Sequence, residues 1–406
     1  MPVPDTAAAP SSRPSSPGSG ILADARRIVV LRLDNAGDVI LAGPTIRALR
    51  LAHPDAHITL MASPVGSEAA ELLPWLDAVV RWRAVWQDAS GSLGFDPDRE
   101  AAAIEHLRSL HADAAIVLTS FSQTPFAAGY ACYLAGIPIR VGHEESFAGG
   151  VLSHPVAGPA PIHQAERNLH LLRGIGVPVG EGSLEARVPD DARSAVARLL
   201  ASVPGDAPPI VVAPGASCSA RRYDPASFAL VAAEIRERTR RPVVVIGTAK
   251  ERPLAAPIVA GVPDAIDLVG RTSLAEAAAV IARAGVVLAN DSLAMHLADA
   301  FDRPVVVTFA GTDREAEWAP RRARHIVLVR PTPCAPCRLF DCPLEGHPCL
   351  AIDPRRVVDA VSLLLGAERR SSARPPLDEP AWPSIPPGRA RRTPSPRPDP
   401  TEVMTR

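Results

Sequence analysis

Nine short apolar runs, rich in β-branched residues, recur along the chain: IVVLRL (28–33), HITLMA (57–62), AAIVLT (114–119), PIRVG (138–142), PIVVAP (209–214), PVVVIG (242–247), GVVLAN (285–290), PVVVTF (304–309) and HIVLVR (325–330). Each is continuous rather than alternating, which predicts strands of a parallel sheet covered on both faces. Helical spacing fills the intervals at 98–110, 125–135, 164–174, 225–239, 273–283 and 292–300, and a last pattern, DPRRVVDAVSLLL, spans 353–365. Strands and helices in alternation predict an α/β fold. The Pro/Gly-rich stretch SVPGDAPP (202–209) separates two such series. Two doubly wound domains are therefore expected, 25–200 and 208–350, facing across a cleft. A closing helix at 353–367 is expected to pack back across the first. Residues 1–24 and 369–406 are rich in Pro, Ser and Arg without periodicity and read as solvated tails.

Composition narrows the function without naming it. The chain has 406 residues, 47% of them hydrophobic, and a formal net charge of −1. That balance argues against a protein that neutralises nucleic-acid phosphates with a basic face. No uninterrupted apolar run approaches the ~18 residues of a spanning helix. The N-terminus lacks a charged-then-apolar signal pattern, so a cytoplasmic address is expected. Lys250 is the sole lysine, so arginine is expected wherever a cation is needed.

Neither G-x-G-x-x-G nor G-x-x-x-x-G-K-[ST] occurs, so ordinary dinucleotide or P-loop chemistry loses support. Attention moves to the polar residues just beyond the strands, where open α/β sheets bind ligands. In RLDNAGDVIL (32–41), Asn35, Gly37 and Asp38 follow the first strand, and Asp38 reads either as a working carboxylate or as a helix cap. In VVAPGASCSARRYDPASF (211–228) a small-residue turn exposes backbone N–H groups, with Ser217 and Arg221 adding a hydroxyl and a fixed charge. This turn could cradle a phosphate or be solvated. Glu251 in GTAKERP (247–253) could hold a ribose or serve only the helix dipole. In ANDSLAMH (289–296), Asp291 or Ser292 can cap the next helix, and His296 lies one turn on, on the face of Ser292.

These segments carry a resemblance. RLDNAGDVILAGPTIRALR, APGAS…RRYDPASF, DLVGRTSLAEAAAVIARAGVVLANDSLAMHLADAFDRPVVVTFAGT and the closing Cys-rich segment stand in the order found in glycosyltransferase family nine, the ADP-heptose:lipopolysaccharide heptosyltransferases. The similarity spans most of 27–365. It implies a GT-B fold, two Rossmann-like domains, with the acceptor held by the first and the sugar nucleotide mainly by the second. It implies Asp38 as general base, with Asn35 and Gly37 in the acceptor-side loop. Arg221 matches a pyrophosphate-binding lysine, and Ser217, Glu251, Thr272, Asp291, Ser292 and His296 match positions around the nucleotide.

The transfer so implied is inverting. A carboxylate deprotonates the acceptor hydroxyl as it attacks the anomeric carbon opposite the leaving nucleoside diphosphate, and arginine and helix N–H groups stabilise the charge that leaves. No metal or other cofactor is then needed. The implied partners are the donor ADP-heptose, or a related nucleotide sugar, and a glycan or glycolipid acceptor, with at most peripheral contact with the inner membrane face. Three departures stand out: Leu293 replaces the glycine of the family's Asp-Ser/Thr-Gly turn, Arg221 replaces lysine, and Asp34-Asn35 replaces a Ser-rich pair. They leave open a related enzyme acting on a small natural-product acceptor, and a non-catalytic nucleotide-binding interaction protein.

Cys334, Cys337, Cys342 and Cys349 form C-x2-C-x4-C-x6-C, which could hold a structural zinc. Cys132 reads as core. Trp82, Trp86 and Phe95 are expected to pack the domain edge rather than stack on a sugar.

Overall fold

Each predicted apolar run forms a strand in the computed structural model, which describes residues 20–88, 91–121, 123–146, 149–201 and 207–371. The first half runs β1 (Arg27–Arg32), α1 (Ala36–Ala52), β2 (His57–Ala62), α2 (Pro64–Ala69), β3 (Ala78–Arg81), α3 (Pro97–Ser109), β4 (Ala114–Val117), α4 (Phe126–Leu134), β5 (Ile139–Glu144), β6 (His154–Ala157), α5 (Gln164–Gly174) and α6 (Asp190–Leu199). The second runs β7 (Ile210–Ala213), α7 (Pro225–Thr239), β8 (Val243–Val245), α8 (Arg252–Gly261), β9 (Ile266–Asp267), α9 (Leu274–Ala282), β10 (Val286–Asn290), α10 (Leu293–Ala300), β11 (Val305–Phe309), α11 (Glu315–Trp318), β12 (His325–Val329) and α12 (Pro354–Ser371).

The sheets have the orders β3-β2-β1-β4-β5-β6 and β12-β11-β10-β7-β8-β9, and the pairings within them are parallel. Counted from its own first strand, the second sheet repeats the order of the first. The expected α/β architecture of two doubly wound sheets is thus present. Each has a switch point, between β1 and β4 and between β7 and β10, where the chain leaves in opposite directions and opens a crevice beyond the carboxyl ends of the strands.

Sequence reading passed over β3, β6 and β9, and the physical reason is common to them. They are short outer strands, with β3 alternating half-buried and exposed residues and β6 carrying Pro155, as edge strands tolerate. In α12, Val357, Val358, Val361, Leu364 and Leu365 join the core of the second half around Ile210, Val212 and Phe228. At the other end Leu22 is buried, so ordered packing begins ahead of residue 25. The rest of the expected tails, 1–19 and 372–406, lies outside the described residues, as do 202–206 of the expected break.

Trp82 is buried and meets Trp86 edge to face at 4.8 Å, with its Nε1–H donating to Glu100 at 3.2 Å. Both pack as expected. Phe95 does not, being 99% exposed. Cys132 is core, and burial pushes its thiol up to about 12. Among the described residues no helix is long and apolar enough to cross a membrane.

Candidate active site

At the first switch point β1 ends in Arg32, a guanidinium wholly removed from water. Such a charge needs counter-charges, and the chain supplies two within six residues. Arg32 Nε lies 3.2 Å from Asp34 Oδ2, and Nη2 donates to Asp38 Oδ1 at 2.6 Å. Asn35, extended at the N-cap, starts α1 and donates its N–H to Asp38 Oδ2 at 3.2 Å, the reach-back of a capping box. The turn after β4 closes the pocket. Ser120 Oγ accepts from Arg32 Nη2 at 2.5 Å and donates to Asp38 Oδ1 at 3.3 Å, and Gln123 donates to Asp34 Oδ1 at 2.6 Å. Asp38 therefore caps a helix and answers a buried cation at once.

At the second switch point Asn290 organises the backbone. Its Oδ1 accepts from Tyr223 N–H (3.0 Å) and Thr308 O–H (2.8 Å), while its Nδ2 donates to the carbonyls of Pro214 (2.9 Å) and Gly215 (3.3 Å). The β7 turn held in this way presents Arg221. Its guanidinium pairs with Asp313, donates to Thr312 Oγ1 at 3.2 Å and lies 3.7 Å from Asp291. Asp313 is shared with Arg338, which also pairs with Glu317 at 2.9 Å. Asp291 is buried, and its Oδ2 has no hydrogen-bond partner. Burial pushes this carboxyl up to about 6; Arg221 opposes the rise, and Asp313 and Asp38 add to it. Ser292 occupies the N-cap position of α10 but makes no side-chain capping bond, so the start of that helix keeps N–H donors for an anion.

The two switch points meet where α1 packs on α10. A Cβ on Gly37 would lie 3.0 Å from His296 Cδ2. His296 is buried and lowered to about 4 by desolvation, against the pull of Asp38 and Asp299. Beside it, His163 is lowered to about 3, again by burial first and then by Arg321 and His296. A further link across the halves joins Arg321 Nη1 to Glu166 Oε1 at 3.0 Å.

The buried histidines have a consequence for acid stability. His143, His163 and His296 are held below their ordinary 6.5, at about 3, 3 and 4. The unfolded chain takes up protons below pH 6.5 that the folded chain refuses, so stability falls as pH drops from 6.5 towards 4. At pH 5 each histidine costs on the order of 2 kcal/mol. Asp291, raised from 3.8 to about 6, works the other way, taking its proton when folded and returning about 1 kcal/mol. The expected net is a few kcal/mol lost between pH 7 and 5. Urea unfolding at the two pH values measures it, and equal midpoints would contradict the buried neutral histidines.

Asp38, Arg221, Asp291 and His296 thus come together, with Asn35 and Gly37 on the first side and Ser292 on the second. Ser217 is exposed on the β7 turn, and Thr272 is half-exposed directly ahead of Ser273, the residue that caps α9. Neither joins the buried network. Glu251 satisfies Thr248 N–H and O–H through Oε2, at 2.7 and 3.0 Å, while Oε1 occupies the space a Cβ on Gly215 would fill. It serves its own helix start and packs against the β7 turn.

Sequence reasoning passed over Arg32, Ser120, Gln123, Thr312, Asp313 and Arg338. A charged residue inside the apolar run IVVLRL was a signal for Arg32, and Asp313, just past β11, shares the beyond-the-strand position of Asp291. Arg338 gives no such sign. It comes from the cysteine loop, which lies against the turns after β7 and β11 through Cys337 N–H to Gly311 O at 2.9 Å and Ala220 N–H to Phe340 O at 3.0 Å. Burial raises the Cys349 thiol, and its three neighbouring thiols push the same way. Yet among the described residues no three His, Cys, Asp or Glu side chains converge to hold an ion. The structural zinc that the cysteine spacing allows is therefore not shown.

The model of glycosyltransferase family 9 (heptosyltransferase) matches residues 101–347. Lipooligosaccharide heptosyltransferase 2 of Haemophilus influenzae is 31% identical over 132 residues, 31% of this chain and 37% of the relative. The match thus spans well under half of that protein. Among solved structures, ADP-heptose LPS heptosyltransferase II of E. coli superposes with a TM-score of 0.67 at 23% identity, covering 84% of this chain and 99% of its own. A family 9 glycosyltransferase from Veillonella parvula gives 0.68 at 22% identity, covering 84% and 97%. E. coli heptosyltransferase WaaC with ADP-2-deoxy-2-fluoro heptose gives 0.58 at 17% identity, covering 84% and 99%. These three share the fold.

Proposed function

The chain belongs to glycosyltransferase family 9, and from that premise we propose that it transfers heptose from ADP-heptose, with inversion, to a hydroxyl of a lipopolysaccharide-core or related cell-envelope glycan. The observation that carries the reading is the meeting of a carboxylate pocket at one switch point with an arginine and an uncapped helix start at the other. The acceptor oxygen attacks the anomeric carbon while its proton passes to Asp38. The bond from that carbon to the diphosphate oxygen breaks on the opposite face, and ADP leaves with the electron pair. Arg221 and the N–H groups at the start of α10 take up the charge that develops. Such an acceptor is carried on lipid, so the protein would meet it by peripheral contact at the cytoplasmic face of the inner membrane.

Calorimetry with ADP, UDP, GDP and ADP-heptose, without added metal, tests the donor. ADP and ADP-heptose are expected to bind selectively. Arg221→Ala should weaken them about 100-fold, the loss of a charge-assisted contact worth roughly 2–3 kcal/mol. Preference for UDP or GDP would replace the donor, and binding of none of the four would remove the reading.

A further inference from the structure

Two carboxylates surround one buried guanidinium in the acceptor-side pocket, and only one of them accepts a hydrogen bond from it. Asp38 bonds Arg32 directly. Asp34 Oδ2 stands 3.2 Å from Arg32 Nε without the alignment of a hydrogen bond, since both atoms are buried and unpartnered in that sense. Asp34 therefore acts on Arg32 through charge. Both its oxygens face donors, Gln123 Nε2–H and the guanidinium. Gln123 Oε1 is taken by the Ser120 N–H. A protonated Asp34 would need an acceptor for its O–H, and neither contact offers one. That is the surrounding of an ionised carboxylate, although burial pushes Asp34 upward, with Arg32 opposing and Asp38 reinforcing the rise.

We propose that Asp34 is a positioning residue that keeps the buried Arg32 paired while Asp38 holds the acceptor proton, an assignment that rests on the reading of Asp38 as the base. With a single partner, the guanidinium would be stranded in the interior the moment that partner took a proton, at a cost of several kcal/mol. Asp38 would then be a poor base. With Asp34 present the pocket carries one negative charge in surplus, and a proton arriving on Asp38 leaves the Arg32–Asp34 pair neutral. The remaining groups do not supply this compensation. Asn35 and Ser120 only donate to Asp38, and His296 across the cleft is buried and neutral at pH 7. Arg221 and Asp291 act from farther off and oppose one another. The Asp34-Asn35 pair, set against the Ser-rich pair of many heptosyltransferases, thus has a chemical role in this chain.

The test uses the full chain with a donor and acceptor pair for which transfer is established. Asp34→Asn is expected to lower kcat about tenfold at pH 7, to move the acid limb of kcat towards lower pH, and to leave ADP affinity unchanged. Arg32→Gln added to Asp34→Asn removes the surplus positive charge and should restore part of the rate. A wild-type rate and pH profile in Asp34→Asn, or a double variant slower than the single one, would overturn the inference. Asp38→Asn separates the two levels. If it transfers at the wild-type rate, the base reading falls and this one with it. If it is inactive while Asp34→Asn is unchanged, only the role of Asp34 falls. Should Asp34→Asn not fold, the double variant carries the test alone: transfer within about tenfold of wild type is expected, and a loss as complete as that of Asp38→Asn overturns the proposal.

Discussion

Asp38→Asn should lower kcat for glycosyl transfer about 1000-fold while leaving the affinity for ADP unchanged, a general base being worth roughly two to four orders of magnitude. The amide keeps the shape of the side chain, so the start of α1 should survive. An oxygen can still accept from Arg32, as Oδ1 of the carboxylate does at 2.6 Å. What disappears is the capacity to receive the acceptor proton, together with one charge opposite a buried cation. Donor affinity should hold because Arg221 and the start of α10 lie on the other half. Single-turnover rates and calorimetry on the same preparation decide the matter. A rate within threefold of wild type would return Asp38 to the role of helix cap, whereas a parallel fall in ADP affinity would point to misfolding.

Asn290→Ala is expected to cost about 3–5 kcal/mol of stability. Four hydrogen bonds to Tyr223, Thr308, Pro214 and Gly215 end on this one buried amide, and each partner left unsatisfied costs about 1–3 kcal/mol less whatever water enters. The β7 turn would lose its tie to β10, so donor affinity should fall as well. Asn290→Asp should be at least as damaging despite its matching shape, because a carboxylate oxygen would face two carbonyl oxygens. Chemical unfolding of both variants measures the difference. An Asp variant as stable as the wild type would show that the amide does not hold the turn.

How much of this was legible follows from where information sits in an α/β chain. Strands such as PVVVTF and GVVLAN are buried on both faces, so their composition alone marks them. Edge strands are half-exposed, and β9 is two residues long. Helix α8 was missed because Pro257 interrupts its interior. The same division runs through the site. Asp38, Arg221 and Asp291 announce themselves by following strands. Their partners do not: Ser120 reaches Arg32 from 88 residues away and Asp313 reaches Arg221 from 92, distances over which one sequence carries no pairing signal. Asp38 was posed as cap or working carboxylate. In the folded chain one oxygen serves the helix and the other the guanidinium, so capping alone does not account for this carboxylate.

The close approach of Gly37 to His296 also constrains how this sequence can change over generations. A methyl at position 37 would meet the imidazole Cδ2 at 3.0 Å, in an interior that does not yield cheaply. Substitutions at 37 and 296 are therefore non-additive. A smaller residue at 296 relieves the crowding, whereas a side chain added first at 37 obliges the imidazole to give by a few tenths of an ångström. Descendants of this chain that carry a side chain at 37 should therefore also carry a smaller residue at 296.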